Sequence, residues 1–215
     1  MKKTTTVVLA VMLLAVTTIQ LKAQDLNASL KEALHSLQSA TNMGGLMAAN
    51  NKFDLIAGKW GNQWAANYYA AYSDAYISLQ EKDAKRRDQL LDMADKYVDK
   101  MNGIDANSDE SLVVTAFVAF ARFQVDPANR WQKYLSLMTT DLEKAKKVNP
   151  DNPRVYYLQG VPLFFRPKTY GGGKDVAKPY FAKAKDLFAK EDAANSGKPA
   201  WGEKENADYL AKCSE

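Results

Sequence analysis

The residues from Tyr170 to Lys174 form a glycine-rich turn of a kind that can bind an anion. Gly171 to Gly173 stand directly before the lysine, at the start of an amphipathic segment. A helix that begins here presents free backbone N–H groups and the positive end of its dipole. A nucleotide-binding P-loop also needs Ser or Thr after the lysine to hold magnesium, and Asp175 stands there. We interpret the loop as a structural turn with Tyr170 packed against its helix pair, and anion binding is the alternative.

Histidine and cysteine, the residues most often used in catalysis and metal binding, occur once each, as His35 and Cys213. A Ser-His-Asp or Cys-His mechanism would have to use His35, which lies among ordinary helical neighbours. One histidine and one cysteine cannot make a metal ligand set. The carboxylates are dispersed and often stand four residues before a lysine, a helix-stabilising spacing. The sequence therefore predicts no enzyme activity, no catalytic residue, no metal and no cofactor.

An aromatic band between positions 60 and 76 is the feature best suited to recognition. The side chains at 64, 68, 72 and 76 recur at four-residue steps and form one broad band along a helix. Such a band is more often core between stacked helices, but tyrosine-rich surfaces also suit peptide or carbohydrate recognition. If the fold has a groove, we expect Tyr68, Tyr72 and Tyr157 to reach it. The predicted binding residues are Trp64, Tyr68, Tyr72, Tyr157 and Tyr170.

The first 23 residues have the pattern of a cleavable signal peptide. Lys2 and Lys3 give the basic start, the stretch from Val7 to Ile19 is apolar, and Ala23 precedes the expected cut. The apolar stretch is shorter than the roughly 20 residues that span a bilayer. No cysteine follows the cut, so a lipid anchor is not indicated. We predict a periplasmic or secreted protein with no membrane span after removal of the signal.

The basic excess of the chain belongs mostly to this signal. The full chain has 29 Lys and Arg against 25 Asp and Glu, and the signal contains Lys2, Lys3 and Lys22 but no acid. Without it the net charge falls from +4 to +1. Binding to nucleic acid needs a concentrated basic face, whereas lysines and carboxylates alternate along most segments here. We therefore exclude nucleic acid as a partner.

Helical spacing covers nearly all of the remaining chain, and Gly, Pro and Asn breakers divide it. Three long pairs begin about 45 residues apart, a period typical of a solenoid. The predicted fold is all-α, a right-handed solenoid of antiparallel, tetratricopeptide-like helix pairs in one domain from 24 to 215. Trp201 is expected to cover the open end of the last pair. The predicted helices are two N-terminal ones at about 25–40 and 44–57, the pairs 62–101, 108–148 and 153–190, and a capping helix at 202–213.

The second helix of the third pair carries a more specific pattern. Ala177, Phe181 and Ala184 have the small-large-small spacing of the second helix of a tetratricopeptide repeat. Gly160 stands where the first helix of such a repeat has a small residue. Small residues let helices approach, and the large one fills the groove between them.

The C-terminal part resembles a group of exported tetratricopeptide-like proteins from Bacteroidetes-type bacteria. As in that group, an Asn-Pro-Arg sequence from Asn152 opens an aromatic helix, an aromatic-Gly-Gly-Gly-Lys loop follows, and Trp201-Gly202 precedes the last helix. The resemblance covers Asn62 to Cys213. It implies the fold and the compartment, and little about the ligand.

These patterns lead to one functional hypothesis and one alternative. The first is an exported scaffold that binds a protein or peptide in the cell envelope, in a groove lined by the first helices of the pairs. The alternative is a periplasmic helper of an uptake system, in which the aromatic band lines a pocket for a small solute. The sequence leaves the oligomeric state and the partner's identity open.

Overall fold

The computed structural model describes residues 25–191 and 199–214, and all regular structure in these ranges is helical. The all-α prediction is confirmed. The predicted signal peptide lies outside the described residues, and the single-domain assignment stays a prediction. Within the described ranges, no helix combines the length and hydropathy that crossing a membrane requires. The helices are α1 (25–39), α2 (Met43–Lys59), α3 (Trp64–Gln80), α4 (Ala84–Asp105), α5 (Asp109–Val125), α6 (Pro127–Val148), α7 (Pro153–Phe165), α8 (Lys174–Phe188) and α9 (Glu203–Lys212), with a short 3₁₀ turn at Lys168–Tyr170.

Side-chain caps fix where most of these helices begin. The capping oxygen accepts a hydrogen bond from a backbone N–H in the first turn, which has no partner within the helix. Pro127 and Pro153 occupy the first positions of α6 and α7, where a missing N–H loses no hydrogen bond. The breakers Asp126-Pro127 and Asn152-Pro153 are therefore helix starts. The capping residues are Asn42, Asp83, Ser108, Asp126 and Asn152.

The helices pack as a solenoid of pairs. α3 packs on α4, α5 on α6 and α7 on α8, and the pairs stack through contacts of α5 with α3 and α7. α2 lies against α3 at one end, and α9 lies against α8 at the other. The first helices of the three pairs therefore share one inner face. α4 continues beyond the predicted end at Met101 to Asp105, because a glycine such as Gly103 lowers helix stability by only about 1 kcal/mol.

α7 and α8 approach each other closely at Gly160. A Cβ atom at this position would lie 2.7 Å from Cε1 and 3.0 Å from Cδ1 of Phe181. The ring has no solvent exposure, and neither do Ala177 and Ala184 on either side of it. The small-large-small pattern thus corresponds to a tight contact, in which the ring fills the space that Gly160 leaves open.

Substitution of Gly160 by alanine is expected to destabilise the protein by about 1–3 kcal/mol, because the added methyl group overpacks the contact with Phe181. Gly103→Ala is the matched control. Its Cβ would meet nothing within 4 Å, so this helical substitution should stabilise by up to about 1 kcal/mol. Urea unfolding of both variants measures the difference. Equal stabilities for the two variants would show that α7 and α8 can move apart freely.

Candidate ligand-binding site

Two adjoining cavities lie on the inner face of the solenoid. The first, which we call the aromatic cavity, has a volume of about 440 Å³ and lies between α3, α5, α7 and α9. The second, the C-terminal cavity, has about 400 Å³ and lies between α1, α3 and residues 200–205. The two share walls at Tyr72, Tyr76, Trp201 and Glu205, so they adjoin each other. Volumes of this size are typical of small-molecule sites.

Trp201 forms the wall between these cavities. Its ring centroid lies 4.6 Å from that of Tyr72 and 5.4 Å from that of Phe117. Its Nε1 donates a hydrogen bond of 2.7 Å to the hydroxyl of Tyr68. The residue therefore lies on the inner face against α3 and α5, and not at the open end of the last pair as we expected. Gly202 has a φ of 95°, a left-handed conformation that favours glycine and turns the chain away after the tryptophan.

A buried ionic network holds the segment that carries Trp201. Arg154 has no solvent exposure, and its Nε donates to Glu110 Oε1 at 3.1 Å. Its Nη1 lies 2.8 Å from Glu191 Oε2, and its Nη2 donates to the carbonyl of Pro199 at 2.6 Å. The Tyr68 hydroxyl donates to Glu110 Oε2 at 2.9 Å. The arginine thus joins α5 and α7 to both sides of residues 192–198.

Four tyrosine hydroxyls line the aromatic cavity. None of them forms a hydrogen bond with any residue that the structure describes, so they are available to a ligand. Burial raises the pKa of Tyr72 and Tyr157 well above the usual value, and the nearby carboxylate of Glu205 raises it further. The hydroxyls are therefore neutral near pH 7. The four are Tyr72, Tyr76, Tyr157 and Tyr209.

Arg87 is the basic group of the aromatic cavity. Its side chain is half-buried at the start of α4, and its Nε donates to the carbonyl of Ser78 at 2.9 Å. Across the described chain, its terminal nitrogens form no salt bridge with a carboxylate. Burial lowers its pKa, and Arg130 adds to that effect while Asp88 opposes it. This guanidinium is placed to pair with an acidic group on a ligand.

The five predicted binding residues are distributed unequally around this site. Tyr72 and Tyr157 line the aromatic cavity. Tyr68 is fully buried beneath Trp201 and does not reach the groove, and half-buried Trp64 donates to Ser111 Oγ at 2.7 Å. Tyr170 is 77% exposed, so our expectation that it packs against its helix pair is wrong. It lines neither cavity, and a functional role for it stays a prediction.

The glycine-rich loop has the geometry of a turn that needs its glycines. Gly171 and Gly173 have φ values of 73° and 106°, which other residues rarely adopt. A Cβ atom on Gly172 would lie 2.4 Å from the carbonyl oxygen of Arg166. These backbone constraints explain why glycine occupies all three positions, so no bound ligand is needed to explain the glycine-rich sequence.

His35 and Cys213 lie apart from the site. His35 is exposed on α1, while Cys213 is 8% exposed at the end of α9. In the described ranges no three His, Cys, Asp or Glu side chains come together as a metal site.

Several residues of the cavity were not singled out as binding residues from the sequence. Phe117 has the spacing of a core residue, and Arg87 resembles any surface arginine of an amphipathic helix. Trp201 carried a signal, since the Trp-Gly pair before the last helix is unusual, but the sequence does not show which surface the ring contacts. Glu205 and Tyr209 on α9 also line the cavity and were not singled out as binding residues.

A helical solenoid with an aromatic cavity on its inner face has the features of a ligand-binding protein. The chain is similar to the solved structure of the HusA haemophore from Porphyromonas gingivalis. The two share 29% sequence identity and a TM-score of 0.74, over 89% of this chain and 92% of that one. A scan against protein-family models and a search of curated proteins found no match. This likeness to a haemophore gives indirect support to the prediction of a binding role.

Proposed function

We propose that this protein is an exported haem-binding protein, which holds the flat macrocycle between the walls of the aromatic cavity. The observation that carries the proposal is the cluster of Tyr72, Phe117, Tyr157 and Trp201 around a cavity of about 440 Å³. Its likeness to a haemophore and the signal-like N-terminal sequence support the ligand class and the export. The cavity and the likeness to a haemophore favour the small-solute alternative over a peptide scaffold.

The walls of the cavity suit a flat, largely apolar ligand. Aromatic rings stack on conjugated systems with an offset geometry, at centroid distances of about 4.5–7 Å. Phe120, Leu158 and Val161 add apolar surface around the tyrosines. The C-terminal cavity adjoins the aromatic cavity across Trp201, so the site offers additional space next to the macrocycle.

The polar groups of the site suit the carboxylates that haem carries on one edge. Arg87 supplies a half-buried guanidinium without a carboxylate partner among the described residues, and bidentate pairing with a carboxylate is the strongest bond it can make. Glu205 lies on α9 in the same lining, so the acidic edge of the ligand faces Arg87 and not α9. The arginine thereby orients the ligand in the cavity.

The described lining contains no histidine, cysteine or methionine, which are the usual strong axial ligands of haem iron beside tyrosinate. Burial keeps the tyrosine pKa values raised, so the lining offers no phenolate to ferric iron before a ligand binds. The proposed affinity therefore resides in the macrocycle and its carboxylates. Metal-free protoporphyrin IX should bind within about tenfold of haem, a difference below about 1.4 kcal/mol.

Absorbance titrations with haem and tryptophan-fluorescence titrations with protoporphyrin IX test this proposal. Arg87→Gln should weaken the binding of both porphyrins by roughly ten- to a hundredfold. This loss corresponds to the about 1.5–3 kcal/mol that a hydrogen bond to a charged group contributes. Arg86→Gln is the matched control, because Arg86 is 73% exposed and lies outside the aromatic cavity. The dimethyl ester of protoporphyrin should bind both variants equally. Absence of saturable binding by either porphyrin would refute the proposal, and a strong preference for haem would refute its metal-independent mode.

A further inference from the structure

A third cavity lies between α2, α3 and α4. It has a volume of about 330 Å³ and shares no lining residue with the aromatic or the C-terminal cavity. We call it the Asp74 cavity after the residue that α3 contributes from the side opposite Tyr72 and Tyr76. Its apolar walls are Met43, Met47, Leu90 and Met93.

Asp74 is the buried polar group of this cavity. It is 1% exposed, and its Oδ1 accepts a hydrogen bond of 2.9 Å from Asn50 Nδ2. Asn50 is fixed in turn, because its Oδ1 accepts from Ser73 Oγ at 2.6 Å. The second carboxylate oxygen, Oδ2, is buried and has no hydrogen-bond partner in the described chain. A buried polar atom without a partner is unfavourable unless a ligand satisfies it.

The charges around the cavity favour a cation. Asp54 and Glu81 also line it, and Arg86 is the one cation of its lining. That arginine is 73% exposed at the rim, 3.8 Å from the Glu81 carboxylate. Asp54 accepts a hydrogen bond from the hydroxyl of Tyr97 at 2.9 Å. Three carboxylates outnumber this guanidinium and the ammonium of Lys96, which lies 3.7 Å from Met93 Sδ, so the cavity is negative when all three are ionised.

The chemistry of the walls selects an organic cation over a metal ion. Met93 Sδ lies 3.7 Å from Lys96 Nζ, and an ammonium at this distance disfavours a metal at the sulfur. The only carboxylate oxygen that is buried without a partner is Asp74 Oδ2, among residues 25–191 and 199–214. One buried, unpartnered carboxylate oxygen in a cavity with methionine walls matches a ligand with one ammonium and an apolar body. Methionine sulfur also makes favourable contacts with aromatic rings.

We propose that the Asp74 cavity binds a small primary amine, whose ammonium donates to Asp74 Oδ2 while its apolar body contacts the methionines. The site is independent of the proposed haem site, because the two share no lining residue. Burial raises the pKa of Asp74 to about 7, against the opposing effect of the Asn50 hydrogen bond, and Asp54 raises it further. The other groups that face it are Glu81, Arg86 and Tyr97.

Isothermal titration calorimetry with phenethylamine at pH 8 tests the proposal. The amine is charged and Asp74 is ionised at this pH, so we expect saturable binding by the unaltered protein. Asp74→Asn should weaken binding at least tenfold, and 2-phenylethanol, which lacks the charge, should not bind measurably. At pH 6 the carboxylate is protonated, so the affinity for the amine should fall several-fold.

Two further variants separate binding from folding. Met47→Lys places an ammonium at a position that is 36% exposed, where it can enter the cavity and compete, so binding should be lost while the fold is retained. Asp141→Asn removes a carboxylate of α6 outside the cavity and should leave binding unchanged. Failure of the unaltered protein to bind phenethylamine would overturn the proposal. Equal affinity of the Asp74→Asn or the Met47→Lys variant would overturn it as well.

Discussion

Arg154→Ala is expected to destabilise the protein by about 3–5 kcal/mol, the largest effect of any substitution considered for this fold. The guanidinium has no solvent exposure and is the cation paired with Glu110. Without it, the buried Glu110 carboxylate keeps, among the described residues, the hydroxyl of Tyr68 and the amide of Asn152 as donors. Glu191 and the carbonyl of Pro199 also lose the hydrogen bonds that Arg154 donates. Truncation of one partner of a buried ion pair leaves a charge that neither protein nor water solvates well.

Guanidinium chloride unfolding, followed by circular dichroism, measures this loss. Arg86→Ala is the appropriate control, because that guanidinium is 73% exposed and lies 3.8 Å from Glu81. A pair of this kind contributes less than about 1 kcal/mol. If the two variants unfolded at the same denaturant concentration, the network around Arg154 would contribute no more than a surface pair.

Trp201→Ala should weaken haem binding by about 2–4 kcal/mol, or roughly 30- to 800-fold. The ring separates the two cavities and stacks on Tyr72 at 4.6 Å, so its removal opens the space and takes away a flat contact surface. Buried tryptophans at the centre of a binding surface commonly have effects of this size. Absorbance titration with haem gives the value directly.

Two tryptophan variants make this prediction specific. Trp201→Phe keeps a stacked ring but loses the Nε1 hydrogen bond to Tyr68, so it should lower stability by about 1 kcal/mol and retain most of the affinity. Trp131→Ala removes a 52% exposed ring that lines neither cavity, and the affinity should not change. A loss for Trp131→Ala that equals the loss for Trp201→Ala would place the ligand on the outer rim instead.

The helices could be predicted from the sequence because their signals are local. Asp126-Pro127 and Asn152-Pro153 each combine a capping side chain with a proline at the first helical position. The tight contact at Gly160 was also indicated, because small-large-small spacing is a property of one helix and its neighbour. Such patterns act within one or two turns, so sequence spacing describes them well.

The site could be predicted only in part, because it depends on contacts between distant segments. Tyr72 and Tyr157 were expected in a groove and line the aromatic cavity. Tyr68 stands on the same helical band, but Trp201 covers it, and that contact joins residues 133 positions apart. Tyr170 looked suited to binding by its type and its loop, yet it extends into solvent. Burial decided each of these outcomes, and burial is set by the packing of the whole chain.

The burial of Arg154 could not be predicted from the sequence either, because it also depends on contacts between distant segments. An arginine after Asn-Pro at a helix start suggests a solvated surface group, since arginines are rarely buried without partners. Its partners Glu110 and Glu191 stand 44 and 37 residues away. No local sequence pattern indicates that Arg154, Glu110 and Glu191 form ion pairs.

The three helix pairs are synthesised before Trp201, the residue that forms the wall between the two cavities. Synthesis as far as Phe188 supplies the residues of all three helix pairs, but it includes neither the indole that divides the cavities nor Glu191 and Pro199, which bind the buried guanidinium. Residues 199–202 must therefore dock on the inner face after the three helix pairs have been made, before Trp201 can divide the two cavities. Removal of these residues by a protease would open the two cavities to each other and would leave the residues of the three helix pairs in place.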